Sequence, residues 1–319
     1  MDVLPWTEKY RPRTLDEVIG QKEIVSSLKL FVKNKNMPNL LFAGTAGIGK
    51  TTATLAMARD LYGENFSGSV LELNASDARG IDIVRGVIKD FARSVAIEKV
   101  PFKIIFLDEA DALTSDAQHA LRRTMEVYSS VTRFVLSCNY SSKIIEPLQS
   151  RCSVFRFKPL LDDEVRAMVN RIAAAEGLKV DEKAIETLIY ISEGDMRKAI
   201  NALQGASMHA KHITSDELYK TASRARPAEI KEMLDLSLAG KFTEARKKLD
   251  QLMINYGMSG EDVLLQIYRE VPNMSISETA KVHLIDKIGE YNFRVVEGAN
   301  ERIQLEALLA QMMLIGKKA

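Results

Sequence analysis

The sequence predicts an α/β plus all-α chain, in which a doubly wound parallel-sheet domain is followed by two helical domains. Three observations carry this expectation. Short apolar runs alternate with longer amphipathic stretches from Leu40 to Phe157. A glycine-rich loop sits between the first of those runs and a helical stretch. No strand-like run follows Pro159. At 319 residues the chain is long enough for two or three domains.

The apolar runs are Leu40–Ala43, Val70–Leu73, Ile104–Leu107, Phe134–Ser137 and Val154–Phe157. Near-continuous runs of this length are expected of strands buried on both faces of a parallel sheet. Between them, Ala117, Ala120, Leu121, Thr124 and Met125 recur at helical spacing within Asp116–Tyr128, so strands and helices alternate. Beyond Pro159, Val165, Met168, Val169 and Ile172 mark a helix stopped at Gly177. Ala184, Ile185, Leu188 and Ile189 mark a second, started at Asp181, and Met196, Ala199, Ile200 and Leu203 a third. Thr214-x-x-Glu217 has the form of a capping box and opens a fourth. Pro227 suits the first turn of a new helix, and from there the chain reads as helical, with breaks around Gly240, Gly257, Pro272 and Gly298. The expected domains are 1–160, 161–226 and 227–319.

Composition excludes several classes. No apolar run approaches the ~20 residues of a membrane-spanning helix, and the N-terminus lacks a basic flank with an apolar stretch, so a cytoplasmic chain with no membrane partner is expected. Cys138 and Cys152 cannot make a disulfide framework and have no metal-ligand spacing; they are expected to be buried, inert thiols. Of the four histidines only His209 and His212 share helical spacing, without a third ligand. A formal net charge of +1 neither demands nor excludes nucleic acid, because phosphate contacts need only a local basic stripe.

The glycine-rich loop is Gly44-Thr45-Ala46-Gly47-Ile48-Gly49-Lys50-Thr51, with Thr52 next at the head of the helical stretch. It fits G-x-x-x-x-G-K-[ST] in the strand–loop–helix context that the motif requires. Glycines let the backbone curl until its N–H groups face phosphate oxygens, and the helix N-terminus adds positive potential. Lys50 is expected to reach the β/γ-phosphates of ATP, and Thr51 to offer its hydroxyl to Mg²⁺.

The run Ile104–Leu107 ends in Asp108-Glu109. Asp108 is expected to hold Mg²⁺ through water, and Glu109 to orient the water that attacks the γ-phosphate. The letters Asp-Glu-Ala-Asp at 108–111 also resemble DEAD-box helicases, whose second motor domain the helical remainder does not supply.

Four further segments sharpen the reading: the stretch from Trp6 to Gln21, which contains Tyr10-Arg11-Pro12; Asn74-Ala75-Ser76-Asp77; Ala120-Leu121-Arg122-Arg123-Thr124-Met125-Glu126; and Ser150-Arg151-Cys152. In this order they resemble the small subunits of replication factor C, the AAA+ clamp-loader ATPases, most nearly those of archaea. The resemblance covers essentially the whole chain. It implies an AAA+ nucleotide-binding domain, a helical lid and a C-terminal helical collar. Tyr10, Arg11 and Pro12 would pack near adenine and ribose. Asn139 matches sensor 1, Arg197 matches sensor 2, and Arg151 matches the arginine finger supplied to ATP on the neighbouring subunit. Such a finger stabilises charge in the transferred phosphoryl group and makes hydrolysis depend on assembly. The family usually has Gly-Pro-Pro-Gly-Thr-Gly-Lys-Thr in the loop, so Thr45, Ala46 and Ile48 depart from its pattern.

The implied partners are other small subunits, a large subunit, the sliding clamp (PCNA) and primer–template DNA. Arg79, Arg85 and Lys89 are the expected contacts to the DNA backbone; Arg122 and Arg123 could face DNA or a neighbouring subunit. Leu305, Leu308, Leu309 and Met312 are apolar at helical spacing and fit either an internal core or an oligomer interface. The readings that compete with a loader are a branch-migration motor, which would need an appended DNA-binding domain, and a scaffold subunit that binds nucleotide without hydrolysing it, against which Lys50, Asp108 and Glu109 stand.

Overall fold

The computed structural model describes residues 4–77, 80–94, 100–222 and 224–316. It comprises two compact units, Met1–Leu178 with Ser192–Gln204, and Lys179–Ile191 with Gly205–Ala319. The segment 161–226, expected as one helical domain, is thus shared between them.

In the first unit, helix α1 (Lys22–Asn34) precedes strand β1 (Asn39–Ala43), and helix α2 (Lys50–Tyr62) leads to β2 (Val70–Asn74). A helical stretch over 81–93, with a wider five-residue turn at Val84–Ile88, precedes β3 (Lys103–Asp108). Helix α3 (Ser115–Val127), β4 (Thr132–Cys138) and β5 (Cys152–Arg156) complete the layered domain. The five strands pair in the order β2-β3-β4-β1-β5, all parallel. Because successive side chains along a strand point to opposite faces, β1 divides its residues between two cores. Leu40 and Phe42 pack with Met57 of α2, and Leu41 with Leu121 of α3.

The central strands β1, β3 and β4 are almost wholly buried, whereas β2 and β5 contain exposed residues. Burial of every run on both faces therefore fails at the two sheet edges, where no further strand carries helices over the outer side. Lys103, 1% exposed, donates to the carbonyls of Phe91 and Ser94. It thereby closes the C-terminal end of helix 81–93, whose last carbonyls have no partner within the helix.

Helix α4 (Asp162–Glu176) stops at Gly177, whose φ of 64° is the left-handed conformation that glycine adopts without strain. Helix α5 (Met196–Ser207) follows the Gly194–Asp195 turn.

The second unit is helical: Glu182–Ser192, Ser215–Thr221 behind the Thr214/Glu217 capping box, Pro227–Leu238, Phe242–Tyr256, Gly260–Glu270, Glu278–Val296 and Glu301–Gly316. The breaks fall where glycine and proline placed them. One departure from the all-helical reading is a parallel bridge of Lys179–Val180 with His212–Ile213. Two residues are too few to leave a periodic signal. Leu305, Leu308, Leu309 and Met312 are at most 1% exposed and belong to this unit's own core, which decides between the two readings left open for them.

Cys138 is buried, and burial pushes its thiol up to about 11. Cys152 is only half-buried, contrary to expectation, although desolvation still raises its thiol to about 12. His212 pairs with Asp181 at 2.8 Å on the surface. Among the described residues no helix is long and apolar enough to cross a membrane.

Candidate nucleotide-binding cleft

Parallel pairing sets the site. The registers Ala43↔Cys138 and Leu107↔Leu136 align the C-terminal ends of β1, β3 and β4. The residues at or just beyond those three ends, namely the glycine-rich loop, Asp108-Glu109 and Asn139, therefore emerge at one edge of the sheet. Ligands of open parallel sheets bind outside the carboxyl ends of the strands. The loop turns there because Gly44, Gly47 and Gly49 take φ values of 151°, 72° and 101°. Gly44 is also sterically required, since a Cβ on it would lie 2.7 Å from the Phe157 carbonyl oxygen.

A cleft opens at this edge. Its floor is Ala46–Thr52; Asp108, Glu109 and Asn139 stand beside it. Thr7, Tyr10, Arg11, Pro12, Val18 and Ile19 form a second wall, and Leu160, Met168, Met196, Arg197 and Ile200 a third. All belong to the first unit.

Lys50 is buried. Its amine donates to the carbonyls of Gly44 and Thr45, both at 2.7 Å, and to Asn139 Oδ1 at 3.2 Å. Burial holds its pKa below the ordinary lysine value, partly offset by the nearby carboxylates of Asp108 and Asp111. Thr51 Oγ1 donates to Asp108 Oδ2 at 2.6 Å, and the Glu109 N–H donates to Asp108 Oδ1 at 2.9 Å. Glu109 is exposed with φ 52°, a left-handed conformation just beyond the end of β3. Asp111 Oδ2 accepts from the Tyr140 N–H at 3.2 Å and so ties the loop after β3 to the one after β4.

Ile48, one of the departures in the loop, is 2% exposed and packs into the core beneath it. The loop is thus anchored by an aliphatic side chain. Gln21 adds a brace: its amide donates to the carbonyl of Lys158 at 2.6 Å and accepts from the Lys158 N–H at 3.2 Å. On the lid side the Met196 N–H donates to the Gly47 carbonyl at 3.0 Å.

Of the residues singled out from sequence, Tyr10, Arg11, Pro12, Ala46–Thr52, Asp108, Glu109, Asn139 and Arg197 line this cleft. Gly44 and Thr45 contribute carbonyls to Lys50 instead. Arg151 lies elsewhere, paired with Glu126 and donating to the Pro147 carbonyl at 2.7 Å. Arg85 and Lys89 line a separate groove with His119 and Arg123, while Arg79 lies outside the described residues. Sequence reasoning missed Thr7, Leu160, Met168 and the Gln21 brace. Met168 carried a signal, since it sat in the apolar stripe of its helix, but that stripe read as core. Among the described residues no cluster of three or more His, Cys, Asp or Glu side chains forms a metal site.

Three family profiles match: ATPase family associated with various cellular activities (AAA) at residues 40–160, RFC1-like AAA+ ATPase lid domain at 162–220, and replication factor C C-terminal domain at 225–311. A replication factor C small subunit of Methanococcus vannielii is 58% identical over 311 residues, covering 98% of this chain and 99% of that protein. One from Archaeoglobus fulgidus is 57% identical over 313 residues, covering 98% of each. Among solved structures, the RuvB Holliday junction branch migration motor of Thermotoga maritima matches with TM-score 0.57 and 20% identity, over 81% of this chain and 91% of that one. The last likeness concerns the fold alone.

Proposed function

Because this chain belongs to the replication factor C small-subunit family, we propose that it hydrolyses ATP as one member of a clamp-loader ring, opening the sliding clamp PCNA and placing it on primer–template DNA. The family profiles support three working domains, an ATPase domain over 1–160, a lid over 161–226 and a collar over 227–319.

The observation that carries the reading is the junction of loop and acidic strand, where the Thr51 hydroxyl meets Asp108 and the Lys50 amine lies in reach of Asn139. Lys50 neutralises the β/γ-phosphates, and Asn139, already hydrogen-bonded to that amine, lies where it can touch the γ-phosphate or the attacking water. Glu109 orients that water. Thr51 and Asp108 offer the hard oxygens that suit Mg²⁺, an ion that keeps waters and substrate phosphates as its other ligands. When bound, the ion would neutralise charge on the phosphates. Tyr10, Arg11 and Pro12 hold the base and ribose side, and Arg197 reaches the phosphates from the lid.

Arg151 serves the ATP of the adjacent subunit. Its absence from the chain's own cleft supports that role, because a residue acting in trans must point away from the nucleotide its own chain binds. Arg85 and Lys89 present exposed positive charge for sequence-independent phosphate contact. The ATPase rate of the isolated chain and of the assembled complex, each with and without clamp and primed DNA, tests the proposal. Stimulation by both partners is expected, and none at all would remove the loader reading.

A further inference from the structure

The segment that walls the cleft with Tyr10, Arg11 and Pro12 is fastened to the two lid helices. At the C-terminal end of α4, Glu176 Oε1 accepts from the Tyr10 hydroxyl at 2.5 Å and from the Lys9 amine at 2.9 Å. On α5, Gln204 Oε1 accepts from the Trp6 N–H at 3.0 Å. Trp6 and Tyr10 meet edge to face at 6.3 Å, and the Lys9 amine lies 5.5 Å from the centre of the Tyr10 ring. Since α5 is also bonded to the loop through Met196 and Gly47, loop, lid and N-terminal segment form a closed chain of contacts around the cleft. Glu176 does not line the cleft. It acts on it through Tyr10.

We infer that Glu176 is a positioning residue for ATP, a carboxylate clasp that locks the Lys9–Tyr10 segment against the lid and so sets how long nucleotide is held. The physical reason is preorganisation: a wall already fixed in place loses less conformational freedom when the nucleotide arrives. A single carboxylate oxygen receiving an ammonium and a phenol makes the stronger, charge-assisted kind of hydrogen bond. In keeping with this, the two donors hold the Glu176 carboxyl below the usual carboxylate range, the Tyr10 hydroxyl contributing most. Burial, reinforced by the bond to Glu176, pushes the Tyr10 phenol up.

The inference rests on the cleft being the ATP site, and the experiment separates the two claims. Trp6 is the chain's single tryptophan and sits in the segment itself, so its fluorescence reports the clasp directly. In the full-length chain with Mg²⁺ and ATP, Glu176→Ala should shift nucleotide-free Trp6 emission toward that of a solvated indole and speed ATP release about tenfold. In the assembled complex it should raise KM while leaving kcat at saturating ATP unchanged. Glu176→Gln, which keeps the shape and an acceptor for Tyr10 but loses the charge facing Lys9, should recover only part of the retention, whereas a role in packing alone would be recovered in full. Should Glu176→Ala fail to fold, Lys9→Met tests the same clasp with every cleft-lining side chain intact. Release from both Glu176→Ala and Lys9→Met at the rate of the unaltered chain would overturn the clasp. A Lys50→Ala chain that binds ATP undiminished would instead overturn the cleft as the ATP site.

Discussion

The carboxylate of Asp195 occupies the space that a side chain on Gly47 would need: a Cβ at Gly47 would lie 1.7 Å from Asp195 Oδ1. Moving Asp195 aside would give up the bond that the same oxygen accepts from the Lys198 N–H at 3.1 Å at the start of α5. The glycine-rich loop and the helix that carries Arg197 therefore meet in close contact, which the absence of a side chain at Gly47 permits.

Gly47→Ala should accordingly weaken ATP binding more than the backbone strain of its φ of 72° explains. Strain alone costs about 1–2 kcal/mol, and displacing Asp195 adds to it. Removing the obstacle in Gly47→Ala/Asp195→Ala should restore part of the affinity. The coupling, measured by titrating ATP against the two single variants and the double one, is expected to be about 0.5–3 kcal/mol for groups in direct contact. Simple additivity would show that the contact does not matter.

Lys50 predicts a pH signature. Burial lowers its pKa from the ordinary 10.5, so its charge is lost at a lower pH than for a solvated lysine. A bound triphosphate favours the charged amine and raises that pKa again. ATP binding at alkaline pH should therefore take up protons and weaken as pH rises. Calorimetry in buffers of different ionisation enthalpy reads the uptake directly, and Lys50→Met should abolish it.

Arg151→Ala in a complete assembly should cut hydrolysis by about 10³–10⁵ while sparing ATP binding, the scale of a catalytic arginine in related phosphoryl transfers. Its effect on stability should be small. The Arg151–Glu126 pair is 35% and 43% exposed, and ion pairs this open to water contribute about 0–1 kcal/mol. Single-turnover hydrolysis beside a denaturant melt separates the two effects, and full retained activity would refute the finger.

In the helical unit, Gln266 is 0% exposed and spans both backbone groups of Ala225, accepting from its N–H at 3.3 Å and donating to its carbonyl at 3.0 Å. Gln266→Leu would leave that pair of buried backbone groups without partners, at about 1–3 kcal/mol each. The urea midpoint should fall clearly, with ATP affinity unchanged.

The sheet and the cleft floor were legible because they are local. Five apolar runs gave five strands, and the Gly44–Thr51 spacing is the loop itself. The helical breaks at Gly240, Gly257 and Gly298 were legible for the same reason, since glycine ends a helix through its own backbone. What escaped depends on residues distant in sequence. Edge exposure of β2 and β5 follows from strand order, which no single run encodes. The meeting of Glu176 with Tyr10, or of Asp195 with Gly47, leaves no periodic trace. Even the choice between core and interface for Leu305 and Leu308 needed the neighbouring helices.

The path of the chain through its two compact units limits how it can be cut. It leaves the first after Leu178, returns for Ser192–Gln204 and departs again. A fragment ending at Leu178 would keep the whole glycine-rich loop and both carboxylates of 108–109, yet lack Met196, Arg197 and Ile200, which line the same cleft. Proteolysis between Val180 and Ile191 should thus leave two pieces that must stay associated for the cleft to survive, and a shortened gene product would inherit a pocket whose third wall keeps only Leu160 and Met168.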